Sequence, residues 1–247
     1  MRGLGTLSNV VAILVGSALG VRLGDRLPER TTRTVTDVLG LLTLVIGASN
    51  LLALADPDYV AAVGDQATLL IVLAALLVGG IVGSLARIEE RVEALGALLH
   101  RRFGANGASE ARARFIEGFV TASLVFTVGP LAILGALSDG LGRGIEQLAL
   151  KSALDGFASL AFASTLGWGV AAAALSVGAW QGGLTLAAVW VGDLAAPAAI
   201  ASLTATGGIL LLGVGLRLLK VRAVPVADLL PALVLAPVLT SIVATLR

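Results

Sequence analysis

Uninterrupted apolar stretches of about 20 residues recur along this chain, and each is long enough to cross about 30 Å of hydrocarbon as a helix. They constrain the fold more than any other feature. Backbone amides and carbonyls inside lipid meet no water and must bond one another, which leaves helices or closed barrels. Barrel strands alternate apolar and polar residues, and these runs do not. The chain is therefore expected to be an all-α polytopic membrane protein. Composition agrees: 57% of the 247 residues are hydrophobic and only 13% charged, against about 25% charged in a soluble domain. A net charge of +1 offers no bulk field for nucleic acid, and the absence of cysteine excludes disulfides, thiol chemistry and thiolate metal sites.

The runs divide into about eight spans, at residues 4–21, 35–55, 67–88, 115–137, 148–175, 176–194, 200–216 and 226–246. The first has no basic region beyond Arg2 and no small-residue cleavage site, so it reads as a retained span rather than a leader. The boundary between the fifth and sixth is placed near Ser176 or Gly178, with residues 164–169 as the competing site. Loop charge supports the count. With both termini outside, the cytoplasmic loops hold Arg22, Arg26, Arg30 and Arg33, then Arg87 to Arg114, then Arg217, Lys220 and Arg222. The external loops hold only Arg143, as the positive-inside rule expects. Merging spans five and six would put the basic 217–222 loop outside. In the last span Pro231 and Pro237 remove backbone donors and predict kinks.

The longest loop, residues 89–114, repeats Val92, Leu95, Leu98 and Leu99 at helical spacing, which suits a short helix lying on the membrane surface. Its His100 stands beside Arg101 and Arg102 and reads as a solvated residue; a lone histidine without cysteine makes no zinc site. The chain is thus organised as one membrane domain, 1–247. A first three-helix unit (1–88) and this loop (89–114) precede a central helix pair (115–175) and a second three-helix unit (176–247). The two outer units carry a candidate inverted repeat. Thr36 to Leu42 leads into Gly47 and Leu51-Leu52, as Thr206 to Leu211 leads into Gly213, Gly215 and Leu218-Leu219.

Polar residues inside the spans mark a candidate centre, because ionisable groups at membrane depth are costly. Lys151 and Asp155 are four residues apart, so they share a helix face and form a pair that is either a structural tie or a centre split by an arriving ion or proton. Thr121, Ser123, Gln181, Thr204 and Thr206 are further candidates for a polar lining. Asn9 is read first as a bond to a neighbouring helix and otherwise as a solute contact. Gly129-Pro130 interrupts span four, and Gly207-Gly208 lets a backbone be approached closely. Gly16, Gly20 and Gly24 form a flat stripe that suits close helix packing, within the protomer or in a homodimer.

These residues resemble the YqgA/YdfK family of bacterial integral membrane proteins of unknown function, over nearly the whole chain. The resemblance rests on Gly5-Thr6 with Asn9, Leu27-Pro28-Glu29, and the run Gly118 to Leu124. It continues through Gly129-Pro130, Ala132-Ile133, Gly135 and Asp139-Gly140, then Lys151-Ser152, Asp155-Gly156 and Leu166-Gly167. Gln181-Gly182, Thr204 to Gly208 and Leu229-Leu230-Pro231 complete it. Two positions depart: Ser84 stands where the family often has Glu, and Asp228 where it often has Asn. The family implies a bacterial inner-membrane location and no established activity. The residues themselves leave three classes open: a secondary carrier for a small solute or ion, a channel, and a non-transporting scaffold. No cofactor, metal or nucleophile–base constellation is expected, so an enzyme is the least favoured class.

Overall fold

A computed structural model describes residues 2–26, 28–92, 94, 98, 109–127, 130–191 and 196–247. Among them there is no β-strand. The helices are α1 (Leu4–Gly24), α2 (Glu29–Asn50), α3 (Pro57–Val63), α4 (Asp65–Leu85), α5 (Ser109–Thr127), α6 (Pro130–Leu141), α7 (Glu146–Leu166), α8 (Gly169–Val191), α9 (Pro197–Leu218) and α10 (Pro231–Leu246). Among the described residues, six helical segments are long and apolar enough to cross a membrane, and a seventh span is formed if α5 and α6, bent by 62° from each other, are one broken crossing. Left out of that count are the short α3 and the 21-residue α7, which carries Glu146, Lys151 and Asp155. His100 and most of the expected surface helix lie outside the described residues; residues 88–92 are helical.

Contacts divide the chain into two units that interleave along the sequence: Met1–Leu39 with Glu93–Leu194, and Gly40–Val92 with Ala195–Arg247. In the first unit, α1 and α7 run parallel in close contact. A side chain added at Gly16, Gly20 or Gly24 would strike the carbonyls of Gly156, Leu160 and Ser164 in turn. The glycine stripe is therefore filled by α7 of the same chain and is not a free face for a second copy. Small residues let two backbones approach this closely in lipid, where no hydrophobic force holds helices together. The start of α1 has no side-chain cap of its own. Asp139, at the end of α6, accepts the Gly3 and Gly5 amides at 3.0 Å each and so fixes it.

The turn from α7 to α8 falls at Gly167-Trp168, not near Ser176 or Gly178. Gly167 takes φ +73°, a conformation that suits glycine, and this ends α7. Ser176 and Gly178 lie inside α8, and Gln181 consequently sits well within that helix rather than at its start. Helix α8 runs parallel to the α5–α6 pair. Gly118 packs against Leu166 and Val170, Ser123 bonds Ser176, and Gly140 packs against Thr185 and Ala188.

In the second unit, α2 from Gly40 onward runs antiparallel to α9. Gly40 meets Leu219, Gly215 meets Leu44, and Gly47 and Gly208 each present their carbonyl to the other. Helix α4 runs antiparallel to α10, with Gly79 against Ala232 and Gly83 against the backbone of Asp228. The 3-10 turn after α2 (Leu51–Ala55) packs on α9, while the matching turn after α9 (Val226–Leu229) packs on α4. Pro231 starts α10, where its missing amide costs nothing, so only Pro237 is internal to that helix. Asp56 caps α3 by accepting the Asp58 and Tyr59 amides. The buried Tyr59 then packs with Val63, Ile71, Ala198 and Ala201.

Candidate functional site

Three helices of the first unit, α1, α7 and α8, bring a polar network together in its interior. Lys151 Nζ donates to Asp155 Oδ2 at 2.7 Å, one turn apart on α7. Asn9 on α1 donates through Nδ2 to the same Asp155 oxygen at 2.9 Å and to Gln181 Oε1 on α8 at 3.2 Å. Lys151 and Asp155 are 7% and 6% exposed, and Asn9 and Gln181 are fully buried. The ion pair therefore lies away from solvent, and its attraction is far less screened than at a surface. Above it, Ser8 and Ser152 are 2.9 Å apart, and Thr6 and Thr185 3.4 Å.

The broken helix stands level with this network. On one side of the break, Phe126 packs edge-on against Phe162 of α7, and Ser123 donates to Ser176 of α8. On the other, Gly135 meets Leu148 of α7, and the Ala136 carbonyl accepts Thr185 of α8. Asp155 falls between Phe162 and Leu148, and Gln181 falls between Ser176 and Thr185. The bend between Thr127 and Pro130 is thus at their height. Gly129 lies outside the described residues, and Pro130 begins α6.

Asn9, Lys151, Asp155 and Gln181 are therefore assembled into one network. Thr121 is buried on α5, and Ser123 bonds Ser176 rather than the pair. Thr204 and Thr206 belong to the second unit, where they donate to the Ile200 and Ser202 carbonyls of their own helix at 2.8 and 2.7 Å. Gly207 is buried there too, and the close approach at Gly208 is taken by Gly47 and Asn50 of α2. Two residues escaped the sequence reading: Ser17 and Ser159, fully buried with no partner for either hydroxyl. Their signal was spacing, with Ser17 eight residues from Asn9 and Ser159 four from Asp155, on the same helix faces.

A second ionic group ties helix ends in the second unit. Glu89 accepts Arg217 Nη1 at 2.6 Å and the Ala227 amide at 2.8 Å, while Asp228 accepts the Glu89 amide at 2.9 Å. Asp228, which departs from the family pattern, thus has a structural use. All these groups are partnered, and the Arg217–Glu89 pair is partly exposed. Among the described residues no cluster of three metal-ligating side chains occurs.

These features define a class: a helical, polytopic membrane protein with a charged polar network built from the helices of one unit. The chain belongs to the family described as protein of unknown function DUF554, whose model matches residues 4–241. It is similar to the uncharacterized protein YqgA of Escherichia coli K12, at 32% identity over 94% of each chain. It is also similar to the uncharacterized membrane protein YdfK of Bacillus subtilis 168, at 29% identity over 97% of this chain and 96% of the relative. No solved structure matches the chain.

Proposed function

We propose that this protein is a secondary carrier of a small solute or ion in the bacterial inner membrane, with its binding centre at Asn9, Lys151, Asp155 and Gln181. One observation carries this reading: a buried ion pair, cross-bonded between three helices, at the height of a broken helix. Discontinuous spans beside a mid-membrane polar centre are a recurring construction of secondary transporters.

An eight-span topology supports it, with α7 as the additional crossing. Helix α7 has 21 residues, or about 31 Å at 1.5 Å per residue. Helix directions give independent support. With eight spans, α1 and α7 are odd-numbered and the α5–α6 pair and α8 are even-numbered, matching the two parallel pairings of the first unit. Numbers two and seven, and three and eight, match the antiparallel pairings of the second. Removing α7 from the count would make the parallel α5–α6 and α8 cross in opposite directions. The reciprocal Gly47–Gly208 contact favours an inverted repeat relating α2–α4 to α9–α10.

The reading is tested by reconstitution into proteoliposomes and tracer flux over a panel of small solutes and ions. A carrier gives saturable flux and counterflow, a channel gives flux without counterflow, and a scaffold gives neither. Loss of flux in a folded Asp155→Asn protein ties the activity to the centre.

A further inference from the structure

Four buried polar atoms on the three helices of the centre have no partner: Asn9 Oδ1, Gln181 Nε2, Ser17 Oγ and Ser159 Oγ. The amide orientations are forced. Asn9 must turn its NH2 to the Asp155 carboxylate, and Gln181 must turn its carbonyl to that NH2. Reversing either would set two acceptors or two donors face to face. Asn9 is thereby left with an unmet acceptor and Gln181 with an unmet donor, both on fully buried side chains. Buried groups of this kind are rare and call for a ligand or an ordered water. The Lys151 ammonium has three N–H groups, and one bonds Asp155.

The centre is electrically balanced and lacks one donor partner and one acceptor partner. A lone cation binding Asp155 would strand the Lys151 ammonium, and a lone anion binding Lys151 would strand the Asp155 carboxylate. Either leaves a buried charge uncompensated. A small zwitterion avoids both penalties. Its carboxylate takes Lys151 and the free Gln181 amide, and its ammonium takes Asp155 and the free Asn9 carbonyl. We propose that the solute is a small zwitterion with neighbouring ammonium and carboxylate groups, the chemistry of an α-amino acid. This inference rests on the carrier reading of the same centre.

The test uses the full-length protein in proteoliposomes, with labelled glycine and labelled L-α-amino acids as probes. Glycine amide supplies the cation alone and acetate the anion alone. The expected result is saturable uptake of at least one zwitterion, with both half-molecules competing at least about 100-fold more weakly, since a site built for a polar group rejects the analogue lacking it. Gln181→Glu keeps the oxygen that Asn9 reaches but removes the free donor, so uptake is lost while the protein stays monodisperse. Should that variant not fold, competition on the parent protein decides alone. Equal competition by glycine amide or acetate overturns the zwitterion. So does saturable, Asp155-dependent flux of an inorganic ion with no zwitterion carried, and in that case the carrier reading survives. Absence of saturable flux for every solute and ion removes both.

Discussion

The two units bury polar side chains in different ways. In the second, Ser202, Thr204, Thr206 and Thr240 each donate to a carbonyl of their own helix three or four residues back. Its ionic group, Glu89 with Arg217, sits partly exposed with its carboxylate bonded on both sides. In the first unit the ion pair is buried on one helix, Asn9 and Gln181 tie it to two others, and four polar atoms are left unmet, against Asn50 Nδ2 in the second. A hydroxyl in a membrane helix is easily satisfied by its own backbone. Buried polarity is therefore weak evidence of function. Polarity that the local helix cannot satisfy is stronger evidence, and it is concentrated in α1, α7 and α8.

The largest test of that contrast removes one charge. Lys151→Met or Asp155→Asn should lower stability by roughly 3–5 kcal/mol, because the remaining partner is left buried and alone. The double variant should recover much of this stability in thermal unfolding yet remain without flux. Recovery of both would make the pair structural. A packing test comes next. Gly20→Leu drives a side chain into the Leu160 carbonyl and should cost about 1–3 kcal/mol, read as a lower unfolding midpoint without loss of any oligomer. In the second unit, Glu89→Gln should cost about 1 kcal/mol through its weakened bonds to Arg217 and Ala227, with flux per folded molecule unchanged. The smallest effect belongs to Gly182→Ala, where an added methyl meets nothing. It should match or raise stability by up to about 1 kcal/mol.

Part of the architecture was legible in the residues: the long apolar runs form helices, and the i, i+4 spacing of Lys151 and Asp155 puts the pair on one helix face. Asn9 was legible first as a bond to a neighbouring helix and otherwise as a solute contact, and its bonds reach Asp155 and Gln181. The turn at Gly167 falls in the competing 164–169 site and not near Ser176 or Gly178; a left-handed φ leaves no mark on composition, and the apolar run continues past it. Gln181 was consequently placed at a helix start instead of inside α8. Thr204 and Thr206 look the same in sequence as hydroxyls that face a solute, since only the structure tells whether a carbonyl on the same helix has already taken them. Ser17 and Ser159 were passed over for the opposite reason: a single serine in a glycine-rich apolar helix is ordinary, and only the shared face with Asn9 and Asp155 distinguishes them.

The central claim is that the solute route lies in the α1–α7–α8 centre and not along the hydroxyls of α9. The absence of native cysteine lets one measurement address it directly. Ser159→Cys, Gln181→Cys and Thr206→Cys are placed singly in the full chain and treated in proteoliposomes with a small water-soluble thiosulfonate. The account predicts modification of the Ser159 and Gln181 variants, with Thr206→Cys inert. Modification at Thr206 with both first-unit positions protected would contradict it.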